Sequence, residues 1–411
     1  MKRFVPIIAI VSLLAHLAAC SNYDINAKNA KSPDGKERTE LILATDERSS
    51  SFSSIINSFN RNSKDYSIKV VYYDTLEKNI DQLRTEIIAG NPPDIYAFSQ
   101  NWLADVKIPI YEDLLPYLDS DPVYGRETFV PSLFNAIARN GTLYYIPYDF
   151  YVNTFTARES VVGIRSGITM EEANKFAKAM GPDVNVFPAW MSREALLAHI
   201  VGFSRAKFLD SATGEYNFNN PEFTKLLEQC KAHPDSPPSD TSFGSNLLEY
   251  YALQSFEVFI GLHYGYGTDY SFVGFPTQDR NGSTFGIKLR FSISAQSKYK
   301  DAAWAFVRTV MSDENQKNTL SFPVAQSALD RQIEIALEGD PSIAKVKLEQ
   351  FEVDRFTNLI NSITMVSDGT DTTLYKIIAE EAEAFFAGDK TAEEAAELIQ
   401  SRVSLYIAER K

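Results

Sequence analysis

The residues able to do covalent chemistry are few, and the first is a thiol. Cys20 closes Leu17-Ala18-Ala19-Cys20 behind Met1-Lys2-Arg3 and an apolar stretch from Phe4 to Leu17. A charged start, a short apolar middle and small residues before a cut describe a secretory signal, whereas a spanning helix wants roughly 18 or more apolar residues. Cys230, the only other cysteine, recurs with Phe223, Leu226 and Leu227 at the spacing of a helix's buried stripe, so it reads as a core thiol. His199, His233 and His263 show no His-x-x-x-His spacing with a glutamate, and neither a Gly-x-Ser-x-Gly elbow nor a phosphate loop occurs. Glu171 and Glu172 form a carboxylate pair, but Thr169-Met170-Glu171-Glu172 is a capping box that uses it to start a helix. No catalytic residue, cofactor or resident metal is expected.

Aromatic and planar polar side chains placed by loops and strand ends suit binding instead. Arg48, in Asp46-Glu47-Arg48-Ser49-Ser50, can grip a hydroxyl or carboxylate bidentately or sit in a solvated charge cluster. Gln100 and Trp102, in Ser99-Gln100-Asn101-Trp102, follow a strand, and the indole reads as a platform or as a cap on the core. In Tyr148-Asp149-Phe150-Tyr151-Val152-Asn153, alternation sets Asp149, Tyr151 and Asn153 on one face, with Asp149 contacting a ligand or making a structural hydrogen bond. Trp190 follows Pro188-Ala189 ahead of a helix and is a second candidate platform. Gly261-Leu262-His263-Tyr264-Gly265-Tyr266-Gly267 brings Tyr264 and Tyr266 into an irregular loop, where they line a recess or pack locally.

These residues need a scaffold, and the chain supplies strands alternating with helices. Thr39 to Ala44 and Ile68 to Tyr73 suit strands, with Phe52, Ile55, Ile56 and Phe59 at helical spacing between them. Ile80, Leu83, Ile87 and Ile88 mark a helix closed by Gly90, and Asn91-Pro92-Pro93 turns the chain into a third strand. Such alternation predicts a mainly parallel sheet covered on both faces, with ligands beyond the carboxyl ends of its strands. Thr142 to Asn153 reads as a crossover strand, and Asn220-Pro221 opens a helix. Asp210 to Gly214 turns a hairpin; it lacks the carboxylate repeat of a calcium loop. Strands are expected at Ser271 to Pro276 and Phe285 to Ser294. Helices follow from Lys298, the last opened by Thr391-Ala392-Glu393-Glu394 with Ala395, Leu398, Ile399, Val403, Tyr406 and Ile407 on one face. Trp304 and Phe306 read as core.

Leu-Ala-Ala-Cys is similar to a lipobox, which implies diacylglyceryl transfer to the Cys20 sulfur and cleavage before it. Residues 1–19 would then be the signal and 20–38 a lipidated tether, being polar with a Pro33-Asp34-Gly35 turn. Without Lys2 and Arg3, 38 basic residues face 54 acidic ones, a net charge of −16 that argues against nucleic acid as a partner.

Ordered along the chain stand Leu83 to Ile95, Asp113-Leu114-Leu115-Pro116-Tyr117-Leu118, Leu143 to Pro147, Val273-Gly274-Phe275-Pro276, Ile293 to Lys298, Ala302 to Val307, Phe322-Pro323-Val324 and Phe386 to Thr391. In this order the sequence resembles the extracellular solute-binding proteins of ABC importers, in the carbohydrate-binding group related to maltose-binding protein. The resemblance implies a type II two-lobe α/β fold with a hinge. Its lobes would be residues 39–147 plus 282–322 and residues 148–281 plus 323–411. It further implies a monomer, lipid-anchored on the outer face of the cell membrane, that binds a mono- or oligosaccharide and delivers it to a permease. A sugar's flat faces call for aromatic rings and its hydroxyls for planar polar groups, which suits Arg48, Gln100, Trp102, Asp149, Tyr151, Asn153, Trp190, Tyr264 and Tyr266. The same fold could serve a polyamine, iron or a peptide, or a sensor kinase. A glycosidase would require two cleft carboxylates at a defined separation.

Overall fold

The computed structural model describes residues 38–73, 77–100, 103, 109–138, 141–188, 190–203, 208–210, 215–234, 246–317, 319–339, 347–367 and 372–410. Cys20, the tether up to residue 37, and Trp102 lie outside the described residues.

Strands β1 (Thr39–Thr45), β2 (Tyr66–Tyr72) and β3 (Ile95–Phe98) run parallel with β1 in the middle. The helix Ser50–Asn62 links β1 to β2 and buries Phe52, Ile55 and Ile56, while Glu77–Ile88 carries Ile80, Leu83 and Ile87 into a separate cluster with Tyr73 and Tyr96. Ile88, expected in that stripe, is instead exposed. β4 (Ile146–Pro147) and β11 (Arg290–Ile293) complete the sheet antiparallel, in the order β2-β1-β3-β11-β4.

β5 (Asp149–Ala157) begins a second sheet and is its spine. Against it lie β8 (Glu249–Leu253), β9 (Ser271–Phe272), β10 (Thr284–Ile287) and β12 (Phe322–Pro323), all antiparallel, with β13 (Val366–Ser367) parallel to β10. A small hairpin pairs β6 (Leu209–Asp210) with β7 (Glu215–Tyr216), as the turn residues predict. The sheets are therefore mixed, which corrects the expectation of mainly parallel ones. Parallel pairing holds where helices connect strands in the first sheet, but the second grows by chains recrossing beside β5.

The crossover predicted at Thr142 to Asn153 is real: β4 belongs to one sheet and β5 to the other. The single strand expected over Phe285 to Ser294 is two, because the chain changes sheets at Lys288-Leu289. Thus β10, within the 282–322 span expected in the first lobe, pairs in the second sheet. Tyr148 N–H donates to Leu289 O at 3.0 Å, so the two crossings are bonded to each other.

One apolar core runs from Leu41 and Phe52 through Phe150 and Phe291 to Phe259 and Phe356, and another packs Phe155, Phe187, Leu227 and Ile399 on the second sheet's helical side. Trp304 and Phe306 point inward as expected, the indole donating to Asp121 at 3.1 Å. Cys230 is fully buried, and that burial pushes its thiol up to about 12. The Thr169–Glu172 box, the Asn220 cap and the Thr391–Glu394 box all form. Of the last helix's predicted face, Ala395, Ile399 and Val403 are buried while Leu398 is exposed, Ala396 taking the inward position. Among the described residues no helix is long and apolar enough to cross a membrane.

Candidate functional site

Parallel strands end together, so the loops after β1, β2 and β3 form one edge. Thr45 starts that edge by donating to Ala97 O at 2.6 Å and accepting the Glu47 N–H at 2.9 Å. The carboxylates of the loop turn inward: Glu47 accepts the N–H groups of Arg48 and Ser49, and Asp46 accepts the N–H and hydroxyl of Ser99. Arg48 is left facing solvent, its guanidinium 4.2 Å from the centre of the Tyr72 ring. Gln100 is exposed just past Ser99, whose carbonyl accepts from Arg290 at 2.9 Å.

The second surface is a face of β5. Alternation places Asp149, Tyr151, Asn153 and Phe155 together, and the ladder adds Tyr250 beside Phe155, Thr284 beside Asn153 and Gly286 beside Tyr151. Tyr151 lies flat on Gly286, where a Cβ would come within 2.1 Å of its ring. The Tyr250 hydroxyl donates to Asn153 Oδ1 at 2.6 Å, and its ring meets Trp190 edge-on with centroids 6.4 Å apart. Trp190 is 57% exposed, a large apolar face left open to solvent beside a polar row. Burial pushes the Tyr250 hydroxyl's pKa up, so it stays a neutral donor.

Asp149 joins the two surfaces. It is 4% exposed, and burial raises its carboxyl to about 6, with Lys288 and Ser321 pulling down and Glu47 of the first edge pushing up. Glu47, on the first edge, is thus among the charges that bear on it. The strip from Trp190 through Tyr250, Asn153 and Tyr151 to Asp149 is one surface, and the edge carrying Glu47, Arg48, Tyr72 and Gln100 is the other. Rings, amides and one carboxylate in such a row can cover a flat apolar face and pair with hydroxyls.

Arg48, Gln100, Asp149, Tyr151, Asn153 and Trp190 fall on these surfaces; Tyr264 and Tyr266 do not. Their segment is the helix Val258–Tyr266, not an irregular loop, because Phe259 and Leu262 anchor it in the core and His263 bonds Glu352 at 2.6 Å. Tyr264 projects from it 96% exposed. Tyr266 is buried, its hydroxyl accepting from Thr156 at 3.0 Å on the opposite face of β5. Sequence reasoning missed Tyr250, Lys288 and Tyr72; the paired tyrosines of Leu248-Glu249-Tyr250-Tyr251 were the available signal for the first. Among the described residues no three His, Cys, Asp or Glu side chains converge to hold a metal ion.

A family model described as "Bacterial extracellular solute-binding protein" matches residues 54–333. Among curated protein sequences none matches. In structure the chain is similar to the sugar-binding protein MalE from Xanthomonas citri, at 15% identity and a TM-score of 0.62 over 90% of this chain and 98% of that one. It is also similar to an ABC substrate-binding protein from Listeria monocytogenes in complex with cycloalternan, at 15% identity and a TM-score of 0.56 over 90% of this chain and 100% of that one. The maltose/maltodextrin-binding domain MalE from Bdellovibrio bacteriovorus, bound to maltotriose, matches at 14% identity and a TM-score of 0.52 over 90% of this chain and all of that one. Two α/β sheets joined by crossing strands are the fold these proteins share, and the matched span covers more than half the sequence. The chain belongs to the bacterial extracellular solute-binding proteins.

Proposed function

We propose that this protein captures a mono- or oligosaccharide in a cleft between two lobes and delivers it to an ABC import permease, without catalysing any reaction. The observation that carries this reading is the strip of Trp190, Tyr250, Asn153 and Tyr151, an open aromatic face continuous with hydrogen-bonding groups. The cycloalternan and maltotriose bound by structurally similar proteins support the ligand class. The lobes follow the sheets: residues 39–147 with 289–321, and 148–288 with 322–411. A ligand touching both would favour their closed arrangement. Lipidation at Cys20 would tether a monomer to the outer face of the cell membrane, close to its permease; two acyl chains anchor stably where one does not.

The test is a thermal-shift screen of the purified full chain in mild detergent against mono- and oligosaccharides, including maltotriose and cycloalternan, beside spermidine and ferric iron. Selective binding to the folded state raises the melting temperature, by about 2.7 kcal/mol of stability at a hundredfold excess over Kd. A shift with one sugar is expected; a flat sugar panel with a shift for spermidine or iron would replace the carbohydrate reading.

A further inference from the structure

Asp149 stands where three crossings between the sheets converge. β5 lies between β12 and β10, and the registers set Pro323 opposite Asp149 on one side and, one residue past the Ile287–Phe150 pair, Lys288 on the other. The first crossing, Pro147-Tyr148, immediately precedes it, and the Tyr148 N–H holds Leu289 O of the second at 3.0 Å. Ser321, at the end of the third, donates both its N–H and its hydroxyl to the Asp149 carboxyl. One carboxyl therefore engages the third crossing by hydrogen bonds and the second by charge, from a strand that continues the first.

Its surroundings make ionisation costly. Asp149 is 4% exposed, and only strong partners offset the loss of water around a carboxylate. Lys288 attracts it, but Lys288 Nζ bonds Gln254 Oε1 at 3.1 Å in an exposed position, and Glu47 of the first edge repels it. Tyr148, next in sequence, has its hydroxyl pushed up by burial and by the Asp149 charge. Burial outweighs Lys288 and Ser321, so the carboxyl is raised to about 6. A carboxylate held dry in this way gains hydration whenever the crossings part, whereas the neutral acid gains little.

We propose that Asp149 is a proton-operated latch on the hinge. Neutral, it lets the three crossings pack together and slows lobe movement. Ionised, it draws water in and lets them part, so that ligand exchange is faster at neutral pH than in acid. The latch acts through the crossings and not through the ligand, and so stands apart from the choice of solute.

Hydrogen exchange followed by mass spectrometry tests it, on the unliganded full chain in mild detergent between pH 5 and pH 7.5, with rates corrected for intrinsic amide chemistry. Peptides spanning Ile146–Phe150, Ile287–Phe291 and Ser321–Ala325 are expected to exchange well ahead of the core segments Leu41–Thr45 and Leu226–Cys230, which open only with global unfolding. With the carboxyl at about 6 when packed and at its ordinary 3.8 when hydrated, their corrected rate should rise about tenfold from pH 5 to pH 7.5. Asp149→Asn should keep the slow rate throughout. Lys288→Met should move the point where the rise levels off to higher pH and Glu47→Gln to lower pH, because the first removes an attraction and the second a repulsion. A merely structural role for Asp149 gives no such opposed displacements. The latch is overturned if the crossings exchange no faster than the cores, if wild type shows no rise, if Asp149→Asn retains it, or if the two charge variants move it the same way. The carbohydrate reading stands in each of these cases.

Discussion

Burial holds the Asp149 carboxyl at about 6, above the 3.8 of an unperturbed aspartate, and Lys288 and Ser321 only partly offset it. A folded-state pKa raised in this way favours folding at low pH: stability from this group is fully present below about 4 and is lost as pH rises through about 6. The shift of about two units corresponds to about 3 kcal/mol given up at neutral pH. Asp149→Asn should therefore unfold at higher denaturant at pH 7.5, by up to about 3 kcal/mol, and match wild type at pH 4; equal stability at both values would show that the carboxyl is not strained by burial. The sequence pointed to this residue through strand alternation alone, which also gave Tyr151 and Asn153 correctly as its partners on one face. Tyr250 was hidden because its role depends on β8 docking beside Phe155, a long-range pairing that the local Tyr250-Tyr251 pair does not specify.

At the scale of elements, caps and periodicity were legible because they are local. Thr169 and Glu172 bond reciprocally, at 3.2 and 2.9 Å, as the four-residue motif predicts. The helix Val258–Tyr266 was not legible, since Gly261 and Gly265 lower its propensity and it is held by tertiary contacts, through buried Phe259, Leu262 and Tyr266 and the His263–Glu352 bond. The break between β10 and β11 was equally silent: apolar residues keep alternating through Phe285, Ile287, Leu289, Phe291 and Ile293, which gives no sign of which sheet each half joins. Close approach between β5 and β10 supplies a test of the binding face. Because a Cβ on Gly286 would collide with the Tyr151 ring at 2.1 Å, Gly286→Ala should cost about 1–3 kcal/mol and displace that ring. In a Tyr151→Ala background the same change should cost less than about 0.5 kcal/mol. Denaturation of the four proteins of the cycle measures this, and an undiminished cost in the second background would mean that the backbone, and not the ring, objects.

The whole molecule depends on how its crossings are tied, because the lobes share those segments and a core that runs past them. Gln316, fully buried, provides the knot. Its Nε2 donates to Tyr148 O at 2.9 Å and to Val310 O at 2.8 Å, while its Oε1 accepts from the N–H groups of Val324 at 2.8 Å and Ala325 at 3.1 Å. One side chain thus bonds the first crossing, the end of the helical segment after β11, and the strand that returns to the second sheet. Substitution by leucine keeps much of the volume but orphans two carbonyls and two N–H groups, each worth about 1–3 kcal/mol when buried without a partner. Some relaxation and water entry reduce the sum, so Gln316→Leu should lose about 4 kcal/mol or more in chemical denaturation. Gln316→Glu separates the two halves of the knot. A carboxylate still accepts from Val324 and Ala325 but repels the carbonyls of Tyr148 and Val310, and protonation restores one donor. Its deficit should therefore shrink as pH falls from 8 to 5, whereas the leucine deficit should not. If leucine is tolerated within about 0.5 kcal/mol, the crossings are held by the shared apolar core alone.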